Sequence, residues 1–262
     1  MVLVQASTPA DRHLTVVRVA LALNALVAAT GLAIKFGEAA TTADPQFTSV
    51  FGRVANELCY FTIESNLIVL AVCVALAWRP ERWRWVAGAP RLTGLVCITV
   101  TGVVYYTLLA ADQHYVGIAV VGDVLAHAVS PLLFVGTWLF GRHGRFERQQ
   151  ASQMLIFPVL WVALTLVRGS IIHIYPYDFV DVKANGYVSV IVTITLMLAA
   201  ARGLAAVAVR IDRRKPADLL DGPVHAQPPS LEGRYGLGHS SLQNRDEGLD
   251  LALVDVADGA MK

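Results

Sequence analysis

Charged side chains are scarce in this sequence. Lys, Arg, Asp and Glu make up 16% of 262 residues and almost cancel, leaving a formal net charge of +1. So little charge is far from the composition of a soluble domain of this length. The missing positive excess, with arginines spread over loop ends rather than gathered on one face, excludes a nucleic-acid partner. Only three cysteines occur, Cys59, Cys73 and Cys97, all in or beside apolar runs and none in a CxxC pair. That removes a disulfide framework and a zinc knuckle, and no spacing of ligands predicts a metal or a cofactor. No internal repeat is visible.

What the chain has instead is apolar length. Hydrophobic residues reach 55%, and the mean hydropathy is +0.54. Six stretches are long enough to cross a hydrocarbon core of about 30 Å: Leu14 to Ile34, Leu58 to Trp78, Leu92 to Ala111, Val116 to Phe140, Met154 to Tyr175 and Tyr187 to Val209. The predicted fold is an all-α polytopic membrane protein with six transmembrane helices. The first stretch is too long for the apolar core of a signal peptide, about 7 to 15 residues, and is read as a retained helix.

Arginine orients the bundle, because cytoplasmic loops keep positive charge during insertion. Arg79, Arg82, Arg84 and Arg91 follow or adjoin the second stretch, Arg142, Arg145 and Arg148 the fourth, and Arg210, Arg213, Arg214 and Lys215 the sixth. The alternate loops hold only Lys35, Arg53 and Lys183 among several acids, so they face outward and both termini are cytoplasmic. The predicted organisation is a cytoplasmic N-terminus over 1–13, a six-helix domain over 14–210 and a disordered cytoplasmic tail over 211–262. The tail is rich in Pro, Gly, Asp, Ser and Gln.

Polar residues inside the apolar stretches are then the functional candidates, since each unsatisfied polar group in hydrocarbon costs several kcal/mol. The second stretch carries Thr62, Glu64, Ser65 and Asn66, the fourth Asp123, His127 and Ser130, and the fifth Arg168. All are predicted in the outer half. Thr62 and Asn66 are spaced i, i+4, as are Asp123 and His127, so each pair shares a helix face. A carboxylate one turn from an imidazole suits a catalytic arrangement in which Asp123 orients His127 and His127 deprotonates Thr62. Asn66 is a candidate donor to a developing oxyanion. Arg168 is predicted to neutralise Asp123 or Glu64, or to grip a substrate carboxylate. Helical rise puts the depths of Thr62 and His127 about 5 to 8 Å apart, so direct contact needs tilt or side-chain reach.

Bland alternatives stand beside these. A membrane threonine ordinarily bonds back to a carbonyl, and a membrane histidine often joins helices. Glu64, Asp123 and Arg168 also fit a structural ion network. With His127 they fit a proton relay in a transporter, and a catalytically silent scaffold or receptor is the third class. Pro131, four residues after His127, predicts a kink. The aromatic loop with Tyr175, Tyr177 and Phe179 fits an interfacial belt or a lid.

Three motifs in order resemble the androgen-induced membrane hydrolases and their bacterial six-helix relatives. They are Phe61-Thr62 at the start of the second helix, His127 with Pro131 in the fourth, and Tyr175-Pro176 followed by an aromatic and an acid after the fifth. The resemblance covers about Leu14 to Val209. It implies a multi-pass hydrolase of fatty acid esters of hydroxy fatty acids, with Thr62 as nucleophile and His127 as its partner, using no cofactor. Its expected partners are membrane lipids and a lipid ester substrate, and its expected place is a bacterial plasma membrane.

Overall fold

A computed structural model describes residues 9–79, 82–141 and 146–214. Among these every regular element is helical: α1 (Pro9–Thr41), α2 (Val50–Glu57), α3 (Phe61–Trp78), α4 (Ala89–Val104), α5 (Ile118–Val124), α6 (Ser130–Phe140), α7 (Gln150–Gln153), α8 (Ile156–Ile172) and α9 (Val182–Arg214). Six stretches are long and apolar enough to cross a membrane, namely α1, α3, α4 with its preceding and following turns, α5 joined to α6, α8 with the turn before it, and α9. The chain is an all-α, multi-pass membrane protein.

Several boundaries differ from the sequence reading for local reasons. The first helix starts at Pro9, inside the segment predicted as an N-terminal arm, because proline needs no helical partner for its missing N–H at a first position. The second crossing starts at Phe61 rather than Leu58, since 50–57 forms a separate short helix that Ser49 caps by accepting from the Gly52 N–H. The fifth ends at Ile172, where His173 takes a left-handed conformation at φ 61°. In α9, Gly186 at φ 75° and ψ 156° interrupts the helix, a conformation that favours glycine. The continuous stretch beyond it starts at Tyr187, as predicted.

The sixth helix continues to Arg214, so 211–214 belong to the bundle and not to a tail. Asp212 is fully buried there. Its carboxylate accepts from the Trp138 indole N–H at 3.3 Å and from the Phe146 backbone N–H at 3.0 Å, tying α9 to the end of α6. Two N–H groups aimed at one carboxylate give the charge a reason to be inside. The predicted disordered tail otherwise lies outside the described residues.

The core near the arginine-bearing connections is built from α3, α4, α6 and α9, with Phe134, Leu92, Ile98, Val69 and Ala205 all 2% exposed or less. Close approaches set the packing of α1 against the fourth crossing. A Cβ on Gly122 would lie 2.6 Å from Ile34 Cγ2, and one on Gly31 would lie 3.3 Å from Leu125 Cβ. Small residues at these points let two backbones come together without the hydrophobic drive that water supplies.

Two crossings depart from α geometry, each for one turn. Residues Tyr105–Leu109 after α4 and Leu125–Val129 between α5 and α6 are π-helical. The second has an evident cause, because Pro131 has no N–H to return to the His127 carbonyl four residues earlier. That carbonyl instead lies against α4, where a Cβ on Gly102 would be only 3.1 Å from it. Such turns recur at functional sites because they redirect side chains out of the helical register.

Candidate active site

Thr62 stands on the first turn of α3, and His127 stands in the π-turn of the fourth crossing. The two side chains meet, with Thr62 Oγ1 lying 3.2 Å from His127 Nε2. The contact closes the depth gap that ideal helical rise leaves between the two residues. On its other side the imidazole is held by one residue twice. Its Nδ1 lies 3.1 Å from the Asp123 carbonyl oxygen and 3.0 Å from Asp123 Oδ1. Oδ1 accepts no in-line hydrogen bond, so the ring N–H is directed at the carbonyl and the carboxylate acts through its charge. A proton on Nδ1 leaves Nε2 as the acceptor facing Thr62.

The second carboxylate oxygen is occupied by a residue that sequence reasoning missed. Tyr105 donates from its hydroxyl to Asp123 Oδ2 at 2.7 Å. Its ring also lies flat on the imidazole, with centroids 3.7 Å apart and planes 13° apart. Both rings arise from π-turns. A hydroxyl inside an apolar run was the available signal, but nothing in spacing links Tyr105 to His127.

Tyr177 is the other addition. Assigned from sequence to an interfacial belt or lid, it turns inward, with its hydroxyl 3.4 Å from the Thr62 backbone nitrogen and 3.5 Å from Thr62 Oγ1. Edge-on packing against Tyr60 and stacking on Phe179 hold the ring. Burial is the largest influence on the phenol and pushes it up to about 12, the hydrogen bonds with Thr62 opposing that rise. At neutral pH it is a neutral O–H donor.

The remaining candidates separate. Asn66 does not face the reacting pair. Its Nδ2 donates to the Thr62 carbonyl at 2.9 Å and to the Ala126 carbonyl at 3.2 Å, which uses both N–H bonds and braces α3 against the π-turn. Ser65 donates to the Thr62 carbonyl and pairs with Thr101 at 2.8 Å, so it too is a brace. Arg168 meets neither Asp123 nor Glu64. Its guanidinium donates to Asn56 Oδ1 at 2.6 Å and to the Ile174 carbonyl at 3.4 Å, and lies over the Phe47 ring. From α8 it reaches Asn56 in α2 and the connection after α8 rather than the fourth crossing. Glu64 is half-buried, and its carboxylate makes no ion pair or hydrogen bond among the described residues. The four ionisable residues that would form a proton relay are therefore not one connected chain.

Two cavities meet at Thr62. One, of about 840 Å³, lies at the end of the bundle away from the arginine-bearing connections and has both Thr62 and His127 in its wall, with Lys35, Glu57, Tyr115 and Asp178 among the others. The second is a crevice of about 80 Å³ between α3, α4, α8 and α9, walled by Val100, Pro158, Trp161, Ile194, Met197 and similar residues. Thr62, Leu109 and Tyr177 line both. A hydroxyl thus stands where a polar chamber gives way to an apolar one. Among the described residues no cluster of His, Cys, Asp and Glu could hold a metal ion.

Compared with known proteins, the chain matches no family model, no curated protein and no solved structure.

Proposed function

We propose that this protein is an intramembrane hydrolase of long-chain lipid esters, with Thr62 as nucleophile and His127 as its general base. The observation that carries the reading is the 3.2 Å contact between Thr62 Oγ1 and His127 Nε2 at the border of the two cavities. A threonine hydroxyl attacks only if a base takes its proton, within about 2.6 to 3.2 Å. The resemblance of the Phe61-Thr62, His127 with Pro131, and Tyr175-Pro176 motifs to the androgen-induced membrane hydrolases supports the same chemistry.

In the proposed reaction the acyl chain lies in the apolar crevice and the polar part of the ester in the larger chamber. The Thr62 proton passes to His127 Nε2 as Oγ1 bonds to the ester carbonyl carbon. Asp123 stabilises the imidazolium that results, and its carbonyl keeps the proton on Nδ1. Negative charge forming on the carbonyl oxygen meets the Tyr177 hydroxyl and the Thr62 backbone N–H, which donates to that hydroxyl at 3.4 Å until the oxyanion takes its place, in the role first considered for Asn66. The C–O bond to the alcohol then breaks, and His127 returns its proton to the leaving oxygen. Water, deprotonated by the same imidazole, releases the acid from acyl-Thr62 and restores the hydroxyl.

Arg168, occupied by Asn56, is not in a position to grip a substrate carboxylate. The proposal therefore stops at a lipid ester and does not rest on a fatty acid ester of a hydroxy fatty acid. The test is covalent labelling by a long-chain fluorophosphonate in membranes, located by peptide mass spectrometry. The expected adduct is on Thr62, lost in Thr62→Ala and at least tenfold slower in His127→Ala, consistent with general-base contributions of about 10²- to 10⁴-fold. Labelling that survives Thr62→Ala would overturn the assignment.

A further inference from the structure

The polar chamber carries an uneven set of charges. Its wall includes the carboxylates of Glu38, Asp44, Glu57 and Asp178 against two cations, Lys35 and Arg53. Both cations are already engaged. Arg53 donates to the backbone carbonyls of Ala39, Ala40, Phe47 and Thr48 at 2.7 to 3.4 Å, pinning the connection after α1. Lys35 lies 3.6 Å from Glu38 Oε2 with its ammonium 4.0 Å from the centre of the Tyr115 ring. Glu57 is half-buried, and its carboxylate has no hydrogen bond or close ion pair among the described residues.

The wall is also aromatic, with Tyr60, Tyr105, Tyr115 and Tyr177 lining the same chamber. Carboxylates and tyrosine rings around one cavity are the chemistry that holds an ammonium group, since both the charge and the ring quadrupole attract a cation. Lys35 demonstrates the preference inside the protein. The residue is nine-tenths buried, and its ammonium rests between a ring face and a carboxylate. Glu38 faces Lys35 and Asp44 accepts from the Gln46 and Phe47 backbone N–H groups, so a free carboxylate entering the same space meets Glu57 and Asp178 and no uncommitted cation.

We infer that the chamber selects lipid esters whose polar part bears an ammonium group, with Glu57 as the carboxylate left to receive it. The inference rests on the hydrolase reading and names the substrate class of that site. It differs from the class implied by the family resemblance, whose members carry a free carboxylate.

The test compares three palmitoyl esters with the full chain in neutral maltoside micelles: palmitoylcholine, palmitoylglycerol and the palmitate ester of a hydroxy fatty acid. Palmitoylcholine is expected to have a kcat/KM about tenfold above the anionic ester, the scale of one partly desolvated cation–π and charge contact. The ratio should fall severalfold in Glu57→Gln, in Glu38→Gln, and in the unaltered protein at about 1 M salt, where the screening length drops to about 3 Å. Turnover with equal or greater preference for the anionic ester overturns the inference while leaving the hydrolase reading in place. Turnover of none of the three, with no adduct on Thr62, overturns both.

Discussion

Tyr105 lies flat on His127, ring centroids 3.7 Å apart, while its hydroxyl holds the carboxylate that faces the same imidazole at 2.7 Å. One side chain thus fixes both the plane of the base and the group behind it. Tyr105→Phe keeps the ring and removes the hydrogen bond, leaving a buried carboxylate oxygen without its donor. Such a loss is worth about 1.5 to 3 kcal/mol, or roughly 10- to 100-fold. The expected result is that fall in kcat with KM little changed, and Tyr105→Leu, which also loses the stack, should fall further.

Pro131 makes the π-turn that presents His127. Pro131→Ala restores an N–H opposite the His127 carbonyl and favours an ordinary α-turn. Thermal stability should hold or rise, whereas fluorophosphonate labelling of Thr62 should slow by at least tenfold because Nε2 turns away from the hydroxyl. Unchanged labelling would show that the bulge does not position the base.

Gly102 tests the same register from the neighbouring helix. A Cβ there would come within 3.1 Å of the His127 carbonyl. Gly102→Val should push α4 off the π-turn, at about 1 to 3 kcal/mol of stability, and lower kcat more than KM.

At the opposite end, Asp212 accepts from Trp138 and Phe146 and lies far along the chain from the reacting pair. Asp212→Ala strands those buried N–H groups and should destabilise the detergent-purified protein by about 1 to 3 kcal/mol, read as a lower melting temperature. KM for the ester should be unaltered. Arg168→Ala is the matching control near the site. Because its guanidinium holds Asn56 and the Ile174 carbonyl, it should loosen those connections without changing selectivity between anionic and neutral esters.

The preference for ammonium esters has its own pH dependence. Burial pushes the Glu57 carboxyl above the ordinary carboxylate range, Glu38 adds to the rise and Lys35 opposes it. Glu57 is charged only above its raised value, so selectivity should be present at pH 8 and weaken as pH falls, starting before an exposed carboxyl would titrate. Tyr60 and Tyr115, whose phenols burial also raises, stay neutral across that range. Selectivity that strengthens toward pH 5 would remove Glu57 from this role.

Much of the fold was legible because membrane crossing is a matter of length and apolarity, both visible residue by residue. The helix ends were less so, since Ser49 capping a short α2 and His173 turning left-handed are local events that an apolar window averages away. Within the candidate site, the pairing of Asp123 with His127 followed from one-turn spacing on a single element. The contact between Thr62 and His127, 65 residues apart, did not, and ideal helical rise predicted a gap. Asn66 and Arg168 lie apart from the reacting pair for one reason. Their chemistry fits the suggested roles, yet their donors are used by carbonyls and by Asn56, which no periodicity reveals.

By itself the sequence determined that this is a helical membrane protein with six crossings and a few costly polar residues, because hydrocarbon tolerates few other arrangements of so apolar a chain. Tertiary structure alone decided which of those residues meet. A proline four residues after His127 turns one helix by a π-turn, a glycine lets a second approach it, and Tyr105 and Tyr177 arrive from distant segments. Helix geometry orders neighbours along one element, whereas contact between elements is settled by packing.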